Sequence, residues 1–223
     1  MATVRAVPRR ARPKTWIALL RGINVVGRRQ LLMKDLAAIL RRAGFTAVRT
    51  YIQSGKVLFE SAHGGARSLA AEIGALIRKR AGFEPQVMVL SRRELAAAVR
   101  GNPFPEADRD HKSLHLFFLS ARPRRPDLDS LTRLKRGREG FALEGKVFYL
   151  FTPHGFPQCE LHDKVERFLG THATARNWRT ANALLSMSAG GGAVSRVAGE
   201  TALSAGRSAG RDSARRGHAS RGR

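Results

Sequence analysis

The order of apolar patterns along the chain constrains its fold more than any other feature. Short apolar runs, typical of buried strands, alternate with stretches whose apolar residues recur every three or four positions, as in amphipathic helices. In the first half these segments are the strand 16–20, the helical face from Leu32 to Ala43, the strands 48–52 and 56–59, the helical face from Leu69 to Ile77, and the strand 86–90. This β-α-β-β-α-β order predicts a ferredoxin-like unit.

The same order recurs in the second half of the chain. Its segments are the strand 114–119, the helical face from Leu128 to Leu134, the hairpin strands 140–143 and 146–151, the helical face from Leu161 to Leu169, a short strand, and a last helix carrying Trp178, Ala181 and Leu185. The two hairpins have similar sequences, Gly-Lys-Val-Leu-Phe at 55–59 and Gly-Lys-Val-Phe-Tyr at 145–149. The sequence therefore predicts an α+β protein, a tandem duplication of two ferredoxin-like βαββαβ units (15–101 and 102–187) with an extra C-terminal helix.

Both ends of the chain are basic and poor in large apolar residues. Residues 1–14 carry five basic and no acidic side chains, and residues 188–223 are rich in Arg, Gly, Ser and Ala. Segments of this composition bury too little apolar surface to offset the entropy cost of ordering. We therefore predict a disordered basic extension over 1–14 and a disordered tail over 188–223.

The overall charge and the absence of several patterns narrow the function classes. With 41 basic and 17 acidic residues the formal net charge is +24, which favours salt-dependent association with polyanions. No apolar run approaches the ~20 residues of a membrane-spanning helix. The single cysteine, Cys159, excludes an internal disulfide, and the histidines show no metal-ligand spacing. We predict a soluble cytoplasmic protein without membrane contact, metal or cofactor, whose basic tails allow non-specific nucleic-acid association; the oligomeric state stays open.

Three longer strings carry a family resemblance. They are Ala-Leu-Leu-Arg-Gly-Ile-Asn-Val (18–25), Thr-Tyr-Ile-Gln-Ser-Gly (50–55) and Thr-Ala-Arg-Asn-Trp (174–178). In this order they resemble the signatures of the domain-of-unknown-function 1697 family, over roughly residues 15 to 187. The resemblance implies a small bacterial cytoplasmic protein of duplicated α+β units, and it implies no particular reaction.

Two positions depart from that family pattern. Val26 stands where the pattern usually has Gly, and Lys56 stands where it usually has Asn. A family activity that needs the Asn is therefore in doubt for this chain.

The first two strings are predicted to meet at one edge of the first sheet. In a ferredoxin-like sheet the end of the first strand lies beside the hairpin that joins the second and third strands, because the third strand pairs with the first. The basic, amide, hydroxyl and glycine residues expected there are Arg21, Gly22, Asn24, Gly27, Gln53, Ser54 and Lys56. Such a set suits a ligand that bears a phosphate or carboxylate. The alternative is structural: Ser54 and Gly55 form a turn, Asn24 caps its loop and Arg21 pairs with a nearby acid.

The third string supplies two secondary candidates, Arg176 and Asn177. Asn177 is placed to cap the last helix, whose apolar face includes Trp178. Arg176 precedes that helix and has the alternative role of meeting an anion at its N-terminus. The structural role is favoured for this string, because helix caps are common and anion sites are few.

Three function classes remain open. The first is binding of a small anionic ligand at the edge near Arg21, and the second is nucleic-acid binding through the basic surface and tails. The third is an unrecognised enzyme at the same site, with Ser54 or Lys56 as the reactive group. No GxGxxG, Walker A or GxSxG string occurs, and the strand aromatics are expected to fill a core. We favour anion binding, with the catalytic residues unassigned.

Overall fold

Two four-stranded antiparallel sheets and six α-helices make up the mixed α+β fold of the described residues. The computed structural model describes residues 12–24, 29–52 and 55–189. In chain order the elements are β1 (Lys14–Arg21), α1 (Met33–Arg42), β2 (Thr46–Thr50), β3 (Lys56–Ser61), α2 (Ala66–Ala81), β4 (Gln86–Ser91), α3 (Arg92–Arg100), β5 (Leu114–Leu119), α4 (Leu128–Leu134), β6 (Gly140–Glu144), β7 (Val147–Phe151), α5 (Val165–Leu169), β8 (Ala173–Asn177) and α6 (Trp178–Ala189).

Both sheets have the same strand order. The first sheet runs β2-β3-β1-β4 and the second runs β6-β7-β5-β8. In each sheet the first strand along the chain pairs antiparallel with the third and the fourth. β4 and β8 are therefore edge strands in corresponding positions.

The outer face of the first sheet is covered by α1 and α2. Successive side chains of a strand point to opposite faces, so Trp16, Ala18 and Leu20 share one face of β1. They belong to a buried cluster whose helical members include Leu36, Leu40, Leu69, Ile73 and Ile77. The spacing of those residues, three or four apart, explains why the two segments fold as helices against this sheet.

A middle core joins the two sheets. Ile17 and Leu19, on the other face of β1, share a buried cluster with Leu116 and Phe118 of β5. α3 and α6, which contact each other, contribute Leu95, Ala98, Trp178, Ala181 and Leu184 to the same cluster. The hydroxyl of Tyr149 in β7 donates a hydrogen bond of 2.7 Å to the carbonyl of Ala98. The two halves of the chain therefore bury apolar surface against one another.

The outer face of the second sheet is covered by α4 and α5. Phe117 and Leu119 of β5 pack there with Phe148 and Leu150 of β7. The helices and the segment before them add Leu131, Cys159, Leu161, Val165 and Leu169. The molecule is thus layered as helices, sheet, paired helices, sheet, helices.

Several predicted boundaries move in the structure. The helical face from Leu161 to Leu169 is divided into a 3-10 turn at Glu160–Asp163 and the short α5. β2 ends at Thr50 and not at Ile52, which has a positive φ of 53° and an exposed side chain. β1 begins at Lys14, inside the predicted extension, and α6 continues to Ala189, inside the predicted tail. Residues 1–11 and 190–223 of the predicted disordered segments lie outside the described residues.

The letters shared by the two hairpins fall on opposite faces of their sheets. In β3, Val57 and Phe59 face the outer core and Leu58 faces the middle core. In β7, Tyr149 faces the middle core and Phe148 faces the outer core. A shift of one residue reverses every side chain of a strand. The matching residues of the two hairpins are therefore displaced by one position when the two sheets are compared by the faces of their strands.

Candidate functional site

The three strings meet at the end of β1. The backbone N–H of Leu20 donates a hydrogen bond of 2.7 Å to the carbonyl of Gly55. The carbonyl of Leu20 accepts a bond of 3.1 Å from Nη2 of Arg176. Leu20 of the first string is therefore hydrogen-bonded both to the hairpin of the second string and to the arginine of the third.

Gly55 allows this close packing. Its φ is +65°, and a Cβ built there would lie 2.8 Å from Cδ1 of Ile23 and 3.0 Å from Cβ of Leu20. A side chain at this position would therefore push the loop after β1 away from the hairpin.

Asn24 holds the loop after β1 by hydrogen bonds to its own segment. Its Nδ2 donates to the carbonyl of Leu31 over 3.1 Å, and its Oδ1 accepts from the N–H of Leu31 over 2.8 Å. The residue has a φ of +53°, a conformation that Asn tolerates better than most residues. These contacts match the structural alternative for Asn24. Three other predicted site residues, Gly27, Gln53 and Ser54, lie outside the described residues.

Arg21 forms an ion pair with Glu166 of α5. Its Nη1 also donates to the carbonyl of Ala173 over 3.1 Å, and the same Glu166 carboxylate accepts from the N–H of Ala173 over 2.7 Å. The next residue, Gly22, turns the chain with a φ of +76°. The alternative in which Arg21 pairs with an acid is therefore the arrangement observed, and this cation is largely compensated.

Arg176 extends from β8 into the layer between the sheets. Its hydrogen bonds go to neutral oxygens, namely Oγ1 of Thr174, the carbonyl of Ala175 and the carbonyl of Leu20, at 3.0, 2.7 and 3.1 Å. Its Nε is buried and has no hydrogen-bond partner among the described residues. Burial lowers the pKa of the guanidinium to about 10. The observed contact of Arg176 is therefore with the end of β1, and the anion at the N-terminus of α6 stays an alternative that no contact tests.

Lys56 brings a second cation to the same end of β1, where it lies opposite Leu19. It begins β3 with its side chain on the same face as Leu58, and it is only 7% exposed. Its Nζ lies 5.7 Å from the ring centroid of Tyr51. Burial, and then the positive charge of Arg176, lower the pKa of Lys56 to about 8. We refer to Lys56 and Arg176 as the cation pair.

Asn177 has the capping role. Its Oδ1 accepts a hydrogen bond of 2.9 Å from the N–H of Thr180 in the first turn of α6. The following Trp178 is buried, and its Nε1 donates to Oδ1 of Asp108 over 2.9 Å. Both residues therefore fix α6 in the middle layer and do not point to a ligand.

Two partners in this region were not singled out from the sequence. Tyr51 lies inside the second string, but its residue type alone does not show whether its ring fills a core or contacts a lysine. Glu166 is 145 residues from Arg21 and carries no local motif. Packing of the two halves brings Glu166 to Arg21, whereas Tyr51 meets Lys56 within the β2–β3 hairpin, where its N–H donates to the Lys56 carbonyl over 3.0 Å.

Other reactive side chains are structural. Burial and then the nearby His162 lower the pKa of His115 to about 4, and its ring stacks on Phe156 with centroids 3.8 Å apart. Burial raises the pKa of the Cys159 thiol to about 11. Within the described ranges no group of three His, Cys, Asp or Glu side chains is placed to hold a metal ion. No described helix has the length and apolar character needed to cross a membrane.

A separate cleft of about 880 Å³ has a lining that includes neither Lys56 nor Arg176. It lies between β4, α3 and the ends of β5 and β7. Its walls are mainly aliphatic, and Arg67, Glu94, Glu144 and Lys146 supply charges of both signs. This mixture selects no particular ligand charge.

Comparisons with known proteins give a family from one search and a fold from another, and no activity. No curated protein matches the chain. A solved structure, the conserved bacterial protein SP0830 from Streptococcus pneumoniae, is similar with a TM-score of 0.58 and 21% sequence identity, covering 79% of this chain and 99% of that one. At this identity the likeness concerns the fold alone.

A family model described as "Protein of unknown function (DUF1697)" matches residues 14–149. The matched span contains Lys56 and ends before Arg176. Because it covers more than half of the chain, the protein belongs to the DUF1697 family.

Proposed function

We propose that this protein binds a small anionic ligand, bearing a phosphate or carboxylate, at the cation pair. The observation that supports this function is that two basic side chains meet at the end of β1, the buried Lys56 opposite Leu19 and the half-buried Arg176 on the carbonyl of Leu20. Buried cations are costly unless an anion or several hydrogen bonds compensate them. An anion bound near both cations would favour the charged form of Lys56, whose pKa is lowered first by burial and then by the charge of Arg176.

The donor geometry of Arg176 favours an oxyanion. Its three hydrogen bonds use neutral acceptors, and its buried Nε adds a donor without a partner among the described residues. A guanidinium presents its donors in one plane, which suits the two oxygens of a carboxylate or phosphate. Arg21 is expected to contribute less to anion binding, because the carboxylate of Glu166 already compensates its positive charge.

Thermal stabilisation of the full chain by phosphate and by acetate at constant ionic strength tests this function. We expect a rise in melting temperature for the wild type that Arg176→Gln loses. Arg92→Gln, a change at an exposed position of α3, is the matched control and should keep the wild-type rise. Equal stabilisation of all three proteins by both anions would contradict the proposal.

Nucleic-acid binding is a second candidate because of the net charge of +24. The strand aromatics do not support recognition by stacking, since Phe59, Phe117, Phe118, Phe148 and Tyr149 are all buried. Fluorescence anisotropy with a labelled oligonucleotide across a salt series separates the two functions. Affinity that falls steeply with salt indicates general charge attraction, whereas sequence preference at high salt would favour this second candidate.

The fold is further proposed to be a tandem duplication of two ferredoxin-like units, 15–101 and 102–187. Two observations support it: the strand orders of the sheets correspond, and each half has the element order β-α-β-β-α-β followed by a helix. The cytoplasm stays the proposed location.

A further inference from the structure

We infer that a basic cleft in the second half of the chain binds a ligand with linked phosphates, held by Arg122, Arg124 and Arg125. The lining of this cleft includes neither Lys56 nor Arg176. It is therefore a second anion site, separate from the cation pair, and goes beyond the function proposed above.

The cleft has a volume of about 490 Å³. One wall is the loop that follows β5, residues 121–125, and the other is the turn between α5 and β8, residues 169–171. This volume lies within the range of about 300 to 1,000 Å³ that is usual for small-molecule sites. The three arginines are exposed to solvent, so a dissolved ligand can reach them.

Hydrogen bonds hold both ends of this loop against the turn. The N–H of Ser120 donates to the carbonyl of His172 over 2.9 Å, and the N–H of Asp127 donates to the carbonyl of Phe168 over 2.8 Å. The hydroxyls of Ser120 and Thr171 are also hydrogen-bonded, with 2.9 Å between their oxygens. The two walls are therefore fixed relative to each other before a ligand binds.

The sequence of the loop restricts its backbone as well. Residues 122–126 are Arg-Pro-Arg-Arg-Pro. Proline fixes its own φ and disfavours a helical conformation in the residue before it, which here is Arg122 and Arg125. A restricted loop loses less conformational entropy when it binds a ligand.

The positive charge of the cleft is not compensated. None of its three guanidinium groups has a hydrogen-bond or ion-pair partner among the described residues, whereas Arg21, Arg78 and Arg136 each pair with a glutamate. The nearest acid along the chain, Asp127, does not line the cleft, and its carboxylate accepts bonds from the N–H and the hydroxyl of Ser130. The lining thus carries three positive charges and no negative one.

The spacing of the arginines selects linked phosphates over a single one. The Cα atoms of Arg122 and Arg125 are at most about 11 Å apart, because three residues separate them. Each guanidinium presents a fork of donors that suits two oxygens of one phosphate. A chain of two or three phosphates can occupy several forks at once, whereas one phosphate leaves most of them unfilled.

The lining also indicates which part of such a ligand is recognised. It contains no aromatic side chain, so it offers no ring on which a nucleobase could stack. Inorganic tripolyphosphate and the triphosphate of a nucleotide should therefore bind with similar affinity.

Calorimetric titration of the full chain with tripolyphosphate at constant ionic strength tests this site. Combining Arg122→Gln, Arg124→Gln and Arg125→Gln should raise the Kd at least about ten-fold, because several charge-assisted hydrogen bonds are lost. ATP should bind the wild type within about three-fold of tripolyphosphate, and single phosphate at least about ten-fold more weakly.

The matched control combines Arg92→Gln, Arg93→Gln and Arg100→Gln, at exposed positions of α3. Both triple variants remove three positive charges and so weaken general attraction of anions equally. We expect the control to stay within about three-fold of the wild-type Kd. Equal losses of affinity in the two variants would overturn the inference.

Arginine modification of the wild type by phenylglyoxal locates the site without any variant. Peptide mapping should show that tripolyphosphate protects residues 122–125 and leaves Arg92 and Arg93 reactive. Absence of protection at 122–125 would overturn the inference. Stronger protection there by a single-stranded oligonucleotide than by tripolyphosphate would also overturn it, and would assign the cleft to nucleic acid.

Arg176→Gln separates the two anion sites. This variant should keep the wild-type Kd for tripolyphosphate, although it loses stabilisation by single phosphate at the cation pair. If phosphate stabilises the wild type and tripolyphosphate does not protect residues 122–125, the proposed function stands and the second site is refuted. Protection at 122–125 without stabilisation by phosphate or acetate would give the reverse result.

Discussion

At the scale of single residues, burial decides what each basic side chain does. Arg21 ends the first strand and Arg176 contacts that end, yet Arg21 pairs with a carboxylate in a half-exposed position, whereas Arg176 contacts neutral oxygens and its Nε is buried. Exposed ion pairs contribute little to stability, whereas an uncompensated buried cation is expensive. Such a cost is typical of a group retained for binding.

Replacing Lys56 with an apolar residue measures the free-energy cost of burying a cation at this position. In the folded state its pKa of about 8 lies below the usual 10.5, so the charged form is disfavoured by folding. Lys56→Met should therefore raise the free energy of unfolding at pH 7 by ~2 kcal/mol. Between pH 8 and 10.5 the unfolded wild type binds more protons than the folded one, so wild-type stability should rise and the advantage of the variant should shrink. Urea unfolding at several pH values measures both effects.

The matched control is Lys146→Met, at the exposed lysine of the second hairpin. We expect its stability to remain within ~0.5 kcal/mol of the wild type at each pH, as for most surface changes. A pH-independent effect of Lys56→Met would contradict the assigned pKa.

The sequence predicts only some of the residues that meet at the end of the first strand. Arg21 and Lys56 can be placed at one edge because strand pairing follows from the order of elements. Arg176 reaches the same point across the interface of the two halves, and no pattern within either half encodes that approach. Glu166 is a surface-type residue in a short helix, so its pairing with Arg21 carries no local signal.

At the scale of elements, the hairpin between the second and third strands depends on Gly55. Gly55→Ala would force a side chain into the left-handed region and within 3.0 Å of Leu20 and Ile23. We expect it to lower the free energy of unfolding by ~2 kcal/mol. Gly145→Ala has a similar φ of +59° and no atoms within 4 Å of the added Cβ, so it should cost only ~1 kcal/mol. Equal losses in chemical denaturation would refute close packing at Gly55.

Elements with local signals could be predicted, and those set by distant contacts could not. Ser91 accepts a bond from the N–H of Glu94 and forms the capping box that its spacing indicates. The division of the helical face near α5 has no such signal. There the chain turns so that Leu161 and Val165 both reach the outer core. Tertiary packing overrode the periodicity of the segment.

At the scale of the whole molecule, the two halves depend on one another for burial. Ile17, Leu19 and Leu58 are fully buried in the middle core, although they lie on the face of the first sheet opposite α1 and α2. Separating the halves would expose that face. The fold should therefore unfold as one cooperative unit.

Expressing residues 14–101 and 102–189 as separate chains tests this dependence. We expect each fragment alone to give the poorly dispersed amide spectrum of a chain without fixed packing, because its share of the middle core is exposed. Mixing the two should restore dispersion. A fragment that folds cooperatively by itself would show that the middle core is an interface between independent domains.

The hairpins described above also bear on how the chain can be recombined. Exchanging 55–59 and 145–149 letter for letter would turn Tyr149, a middle-core residue, toward the outer helices and would place Phe59 between the sheets. Chimeras or consensus designs that join the halves of this protein therefore need a crossover shifted by one residue. The similar residues of the two hairpins do not mark equivalent positions in the two sheets; the face to which each side chain points does.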